Sequence, residues 1–349
     1  MLDPTQARGQ NVRLGHFALK KLHSNTSRDT FNQELASLRK FQDNDDGKHL
    51  IKLLATFEVR EKRGPKQIST YYLLFPWAEG DLWKFWREHD SENQRLRRCV
   101  WMAEQISHLG QALMHVHNER RRQLKRINDS NDEGRLELFG RHGDIKADNI
   151  LWFDDDDDRD PRDARGGRLV IADFGLGRLN SKYSRSGVDP KMVDKSATYK
   201  APEFDLRGGK ISRLSDIYSL GCTCLEFVTW YLEGWHAVSE DFPDSRIEGD
   251  IYGQESDIFF RIENRGAEEK AIIKPKVKDW ISRLKGSRHC SNYTLQFLEL
   301  IEERMLEPDS SRRIKSDELV KELELLADTC RRNSSFYKTP ANKLPTRSR

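Results

Sequence analysis

The first 76 residues show the apolar spacings of strands arranged around one helix. Alternating apolar and polar positions predict strands over residues 15–22, 49–57 and 69–75. Between the first two strands, apolar side chains recur at helical spacing, which predicts a helix over residues 28–41. The Gly-Pro pair within residues 63–66 predicts a turn between the last two strands.

The pattern changes after Phe75, because helical spacing dominates from there onward. Apolar stripes predict helices over residues 82–89, 96–117, 214–232, 277–284, 294–305 and 316–326. A small strand-rich unit followed by a larger helical unit predicts an α+β fold, with the boundary between residues 76 and 79.

The composition predicts a soluble chain of two lobes. Apolar residues make up 36% and charged residues 34% of the 349 positions, and a chain of this length usually organises more than one core. We therefore expect two lobes around a cleft. The most apolar stretch, residues 220–232, is too short to cross a bilayer and contains Glu226, so no membrane partner is expected.

Cysteine usage and the first residues favour a reducing compartment. The five cysteines form no CxxC pair, and the N-terminus lacks the basic-then-apolar layout of a signal peptide. Reduced thiols and a cytoplasmic or nuclear location are therefore expected.

The net charge of +3 is concentrated at the end of the chain, where residues 331–349 carry six Lys or Arg and no acidic residue. This polar segment is expected to be a disordered basic tail. A solvated basic end explains the charge more simply than nucleic-acid binding does.

Two clusters are interpreted as solvated or structural rather than metal-binding. Residues 154–158 are consecutive aspartates, which repel one another and lack the Gly turn of a calcium loop. His115 and His117 lie two residues apart on a predicted helix, so their rings do not converge on one ion.

Three short motifs carry the candidate chemistry. Asp144 and Asn149 lie five residues apart in the segment HGDIKADN, residues 142–149. Asp173 opens a DFG triplet directly after an apolar run, and residues 201–203 read APE. In this order the motifs resemble HRDxxxxN, DFG and APE of protein kinases. The chain is similar to a eukaryotic serine/threonine protein kinase over roughly residues 17–330.

The resemblance implies a two-lobed protein kinase fold that binds ATP and Mg²⁺ and acts on a protein substrate. Residues 1–76 would be an incomplete N-lobe, residues 77–330 the C-lobe and residues 331–349 the tail. The N-lobe is considered incomplete because no GxGxxG motif precedes Lys20; only Gly9 and Gly15 lie upstream. Without that phosphate-covering loop, the 349-residue chain is expected to bind Mg-ATP weakly.

The resemblance assigns roles to individual residues. Asp144 would be the catalytic base, Lys146 would neutralise the γ-phosphate, and Asn149 and Asp173 would each hold a Mg²⁺. The residues implied in ATP binding are Lys20 with its partner Glu34, the gatekeeper Phe75, the adenine-binding backbone of Ala78, and the adenine-sandwiching Ala18 and Leu151. In the activation segment, Ser196 would contact the catalytic residues, and Glu203 would pair with Arg313.

The motif departs from the family pattern at Gly143, which replaces the Arg of HRD. That Arg normally receives an activation-loop phosphate, so the usual phosphate-driven switch is expected to lack its acceptor here.

Two other readings remain open from the sequence. His-Gly-Asp with a later Asn also resembles aminoglycoside and choline phosphotransferases, although Lys146 and the DFG and APE triplets argue against them. A pseudokinase scaffold is favoured by the missing glycine loop. It is disfavoured by the intact set of catalytic and nucleotide-binding residues, namely Lys20, Glu34, Asp144, Asn149 and Asp173. The sequence does not indicate the substrate protein or the oligomeric state.

Overall fold

The computed structural model describes residues 16–22, 26–40, 48–63, 66–127, 141–154, 166–173, 198–249, 255–265 and 268–341. Within these ranges the α+β architecture expected from the sequence is confirmed, with a small strand-rich part before residue 77 and a larger, mostly helical part after it.

The small lobe is an antiparallel sheet with one helix. Its strands are β1 (Phe17–Lys21), β2 (Ala55–Arg63) and β3 (Lys66–Pro76), in the spatial order β1-β3-β2, and helix α1 spans Arg28–Lys40. Phe31 of α1 stacks on Tyr71 of β3 with ring centroids 4.4 Å apart, which fixes the helix against the sheet.

The strand predicted over residues 49–57 is wrong in its first half, since β2 begins only at Ala55. Leu50 forms a parallel bridge to Ile171, and the Ile51 N–H donates to the Ile171 carbonyl at 2.8 Å. The apolar residues at 50 and 51 therefore join the small lobe to the strand that precedes Asp173. Periodicity within one segment does not reveal such a long-range partner.

A second sheet lies beneath the first and supports the candidate site. It contains β4 (Gly80–Asp81), β5 (Ile150–Phe153) and β6 (Arg168–Ile171), in the order β4-β5-β6. The motif residues Asn149 and Asp173 lie directly before β5 and shortly after β6, so this sheet brings them to the same end of the cleft.

The large lobe is helical. Its elements are α2 (Leu82–Glu88), α3 (Glu92–Arg97), α4 (Cys99–Ile127), α5 (Leu214–Glu233), α6 (Phe242–Arg246), α7 (Pro275–Lys285), α8 (Asn292–Leu300), α9 (Ser316–Arg332) and α10 (Ser334–Lys338). Helix α5 is buried along nearly its whole length and forms the centre of the lobe. The single helix predicted over residues 96–117 is divided at Arg98, and its second part continues to Ile127.

The sequence patterns missed a hairpin in the large lobe. Strands β9 (Phe260–Arg265) and β10 (Glu268–Ile273) pair in antiparallel register, after the two-residue strands β7 (Glu248–Gly249) and β8 (Glu255–Ser256). Polar and charged residues interrupt the apolar positions of β9 and β10, so alternation gives only a weak strand signal there.

The disorder expected for residues 331–349 does not hold for residues 331–341. Helix α9 runs to Arg332, α10 follows directly, and the Phe336 ring is buried. The Ala341 N–H donates to the Cys290 carbonyl at 2.9 Å, which ties this segment to the lobe. Composition predicted disorder because basic and small polar residues outnumber the apolar residues that pack against the lobe, Phe336 and Tyr337. Residues 342–349 lie outside the described ranges.

All five cysteines are buried free thiols. In the part of the chain that the structure describes, every helix is too short or too polar to span a bilayer.

Candidate active site

A cleft of about 400 Å³ lies between the β1-β3-β2 sheet and the second sheet. Its walls include five residues implied in ATP binding: Ala18, Lys20, Phe75, Ala78 and Leu151. The cleft is also lined by residues that the sequence patterns did not single out, namely Ile51, Trp77, Gly80, Asp81 and Asp148. A mostly apolar cleft of this size with a few polar groups at one end is typical of small-molecule sites.

Lys20 and Asp173 form an ion pair across the polar end of the cleft. The Lys20 Nζ lies 2.5 Å from an oxygen of Asp173, although the residues are 153 positions apart. Asp173 has φ +65°, a left-handed conformation that residues with a side chain rarely adopt. Such a local conformation is characteristic of functional sites, because surrounding contacts must hold it in place.

Glu34, the expected partner of Lys20, lies on α1. Its side chain lies outside the part of the chain that the structure describes, so their pairing stays a prediction. Phe174 and Ser196 also lie outside the described residues.

Asp144, Lys146 and Asn149 converge within one turn. The Lys146 Nζ lies 3.2 Å from Asp144 Oδ2. The Asn149 amide nitrogen donates to Asp144 Oδ2 and to the Asp144 carbonyl, both at 2.8 Å. This amide therefore restrains the Asp144 carboxylate and leaves its own oxygen for another partner.

The turn is supported from below by Asp216 at the start of α5. Its two carboxylate oxygens accept the backbone N–H groups of His142 and Gly143, each at 2.8 Å. His117 Nε2 lies 3.0 Å from Asp216 Oδ2. Asp216 therefore braces this loop, and His117 is a further support that sequence reasoning missed. Little in the sequence indicated this role for His117, because most histidines on helices have no part in a functional site.

Protonation in this support follows from burial and hydrogen bonding. Burial lowers the pKa of His142 and favours a neutral ring. The ring accepts the Asp144 N–H through Nδ1 at 3.3 Å, while Nε2 lies 2.9 Å from the Ala172 carbonyl and donates to it. Burial would raise the pKa of Asp216, but the hydrogen bond and charge of His117 lower it below its usual value.

Gly143 has φ +88°, which a residue with a Cβ atom adopts only with strain. A Cβ atom at this position would lie 3.4 Å from the Arg141 guanidinium. The Arg141 side chain therefore lies beside the position that a side chain at residue 143 would enter, and it stacks 5.5 Å from the Phe204 ring.

Glu203 and Arg313 form the expected buried ion pair. Arg313 donates to both Glu203 oxygens, at 2.8 and 3.0 Å, and to the Leu214 carbonyl at 2.8 Å. This bidentate contact joins the APE segment to the start of α5 and to the loop before α9.

The polar end of the cleft has suitable oxygens for Mg²⁺. Among the described residues no group of three His, Cys, Asp or Glu side chains could hold an ion. Mg²⁺ instead uses one or two protein ligands together with waters and substrate phosphates. The Asp173 carboxylate and the Asn149 side-chain oxygen, which both line the cleft, meet that requirement.

Comparison with known proteins places this geometry in a family. The sequence matches the family described as "Protein kinase domain" over residues 9–323. The chain belongs to the protein kinase family. The cleft, the Lys20–Asp173 ion pair and the turn that contains Asp144 therefore lie in a protein kinase domain.

Individual kinases are similar over shorter stretches. Cyclin-dependent kinase 8 of Drosophila melanogaster is 26% identical over 214 residues, or 61% of this chain and 40% of that protein. Cyclin-dependent kinase 8 of Caenorhabditis elegans is 28% identical over 184 residues, or 52% of this chain and 26% of that protein. Cysteine-rich receptor-like protein kinase 14 of Arabidopsis thaliana is 37% identical over 87 residues, or 25% of this chain and 11% of that protein. The chain thus spans well under two thirds of these relatives.

Proposed function

We propose that this chain transfers the γ-phosphate of Mg-ATP to serine or threonine hydroxyls of protein substrates. The observation that carries the proposal is the convergence of Asp144, Lys146 and Asn149 beside the Lys20–Asp173 ion pair. Phosphoryl transfer requires positioned charges and an oriented nucleophile more than covalent catalysis, and this arrangement supplies both. Serine or threonine specificity is inferred from Lys146, which is typical of serine/threonine kinases.

In the proposed reaction, the acceptor hydroxyl approaches Asp144 Oδ2. Its oxygen forms a bond to the γ-phosphorus, the bond from that phosphorus to the bridging oxygen of ADP breaks, and the hydroxyl proton passes to Asp144. Lys146, whose Nζ lies 3.2 Å from the carboxylate, offers positive charge to the phosphate being transferred.

The nucleotide would lie with adenine between Ala18 and Leu151, against Phe75 and the backbone of Ala78. Lys20 would reach the α- and β-phosphates, because its ammonium group lies at the polar end of the same cleft. Asn149 and Asp173 would hold Mg²⁺, which when bound offsets the negative charge of the phosphates.

A labelling experiment tests this function and separates it from the alternatives. The chain is incubated with γ-labelled ATP, Mg²⁺ and matched peptides containing Ser, Thr or Tyr, and separately with choline and an aminoglycoside. We expect label on the Ser and Thr peptides, and loss of labelling in Lys20→Met excludes a contaminating kinase. Label on a small molecule would assign the chain to the small-molecule phosphotransferases. ATP binding without transfer to any acceptor would support the scaffold.

A further inference from the structure

The residues that lead into the APE segment are held by two carboxylates from elsewhere in the large lobe. The Thr198 hydroxyl donates to Asp257 Oδ1 at 2.7 Å. The Tyr199 hydroxyl donates to Glu226 Oε2 at 2.8 Å, and Glu226 is fully buried in α5. Thr198 and Tyr199 are themselves buried, so this stretch of backbone is fixed through both of its side chains.

Arg246 connects the two carboxylates. Its Nη2 lies 3.3 Å from Glu226 Oε1 and 3.5 Å from Asp257 Oδ2, and its Nε donates to the Asp257 carbonyl at 2.7 Å. The guanidinium carbon lies 4.4 and 4.6 Å from the ring centroids of Phe242 and Phe259. Contact with two rings and three acceptors holds the planar guanidinium in one orientation.

Lys274, at the end of β10, supports the same cluster. Its buried ammonium group donates to the carbonyls of Arg246 and Ser256, at 2.9 and 2.7 Å. Lys274 therefore links Arg246, which lies just before β7, to Ser256, which ends β8 and directly precedes Asp257. The hairpin that the sequence patterns missed thus contributes to this cluster.

Stability alone is a weak reason for so many buried charges. Burial raises the pKa of Glu226 to about 7, against the lowering effects of Arg246 and the Tyr199 hydrogen bond. Buried ion pairs are often no more stabilising than apolar residues of the same volume, but a satisfied polar network fixes one arrangement.

Ser219 of α5 donates to the Tyr199 carbonyl at 2.7 Å. Asp216, about one turn earlier on the same helix, accepts two N–H groups of the turn that contains Asp144. The network and that turn are therefore held by neighbouring positions of α5.

We propose that Arg246 and Asp257 are positioning residues that fix residues 198–201 as a rigid seat for the peptide substrate beside Asp144. The inference rests on the proposed function. Arg246 and Asp257 act through Thr198 and Tyr199, and neither lines the nucleotide cleft described above. Their loss therefore raises the KM for peptide and leaves the KM for ATP unchanged.

The test compares Thr198→Val and Asp257→Ala, which each remove one side of the same hydrogen bond, with the conservative Thr198→Ser. Either single change should raise the KM for a serine peptide about tenfold, as expected for one hydrogen bond to a charged group. Asp257→Ala also removes the contact with Arg246, so the double variant should be little worse than Asp257→Ala alone, which already lacks the hydrogen bond to Thr198. Thr198→Ser keeps the hydroxyl and should stay within about twofold of the parent KM.

Hydrogen exchange supplies a readout that does not require catalysis. In Thr198→Val and Asp257→Ala, the amides of residues 198–201 should exchange faster, while those of α7 stay unchanged. Ser245→Ala is the matched control, because the Ser245 hydroxyl donates to the Phe242 carbonyl of its own helix rather than to Thr198, Tyr199 or Asp257.

The outcomes separate the two proposals. If the parent chain transfers phosphate but the variants keep its peptide KM, the positioning role is overturned and the proposed function stands. If the parent chain transfers nothing, the proposed function fails by itself. Hydrogen exchange then tests the positioning role without catalysis. Unchanged protection of residues 198–201 in Asp257→Ala would show that Asp257 does not fix them.

Discussion

Gly143 holds a left-handed backbone conformation directly before the proposed base Asp144. Its N–H donates to Asp216, and the Arg141 guanidinium lies close to where its Cβ atom would be. Glycine adopts φ +88° without steric strain, whereas an L-residue there loses on the order of 1–2 kcal/mol. The backbone requirement explains why a glycine is well suited to this position.

Gly143→Ala should therefore lower the free energy of unfolding by about 1–2 kcal/mol, as measured by urea denaturation. Gly249→Ala is the matched control, because its Cβ atom would meet nothing within 4 Å and its φ is not in the left-handed region. Equal stability of Gly143→Ala and the parent chain would contradict the strain assigned to this turn.

The motif residues of the site could be located from the sequence, because Asp144, Lys146, Asn149 and Asp173 lie at spacings dictated by one reaction. The structure brings them together as expected. His117 and Asp257 could not be located in this way. Each acts through a hydrogen bond to a residue at least 59 positions away, and nothing in its local spacing marks that contact.

At the scale of elements, the buried Glu203–Arg313 pair joins the APE segment to α5. Both side chains are almost completely enclosed, and the guanidinium also lies 5.0 Å from the Tyr218 ring centroid. Removing one partner would leave the other charge buried without its counterion. The resulting loss of folding stability is larger than the net stabilisation that the intact pair provides.

Arg313→Met should lower the free energy of unfolding by about 3–5 kcal/mol, measured by urea denaturation. Arg331→Met is the control, since Arg331 pairs with Glu104 at 2.8 Å on the surface with its side chain 55% exposed. Its effect should stay below about 1 kcal/mol. Similar losses in the two variants would show that burial does not distinguish these pairs.

Local periodicity predicted most helices but failed where distant contacts decide the structure. The helix predicted over residues 214–232 differs from α5 only by the last residue, because apolar residues occupy most of this segment. The apolar pair Leu50 and Ile51 was assigned to a strand, yet it bridges to Ile171 in the other sheet. Residues 331–341 gain order by packing Phe336 into the large lobe, which composition does not register.

At the scale of the whole molecule, the proposed base Asp144 is held by Asn149, which lines the cleft between the two sheets. Asp216 of α5 braces the turn that contains Asp144. In the proposed function, Asp144 would act on the acceptor hydroxyl, while Lys20 and the cleft walls would contact the nucleotide. Loss of the base should therefore largely abolish phosphoryl transfer while leaving nucleotide binding nearly intact.

Single-turnover transfer and ATP affinity, measured on the same preparations of Asp144→Asn and the parent chain, test this claim most directly. Asp328→Asn, an exposed carboxylate on α9, is the control and should match the parent chain. Asp144→Asn should bind Mg-ATP within about twofold of the parent, while its transfer rate falls by roughly 10²–10⁴, the usual contribution of a general base. Undiminished transfer by Asp144→Asn would contradict the role of Asp144 and the account of the site built around it.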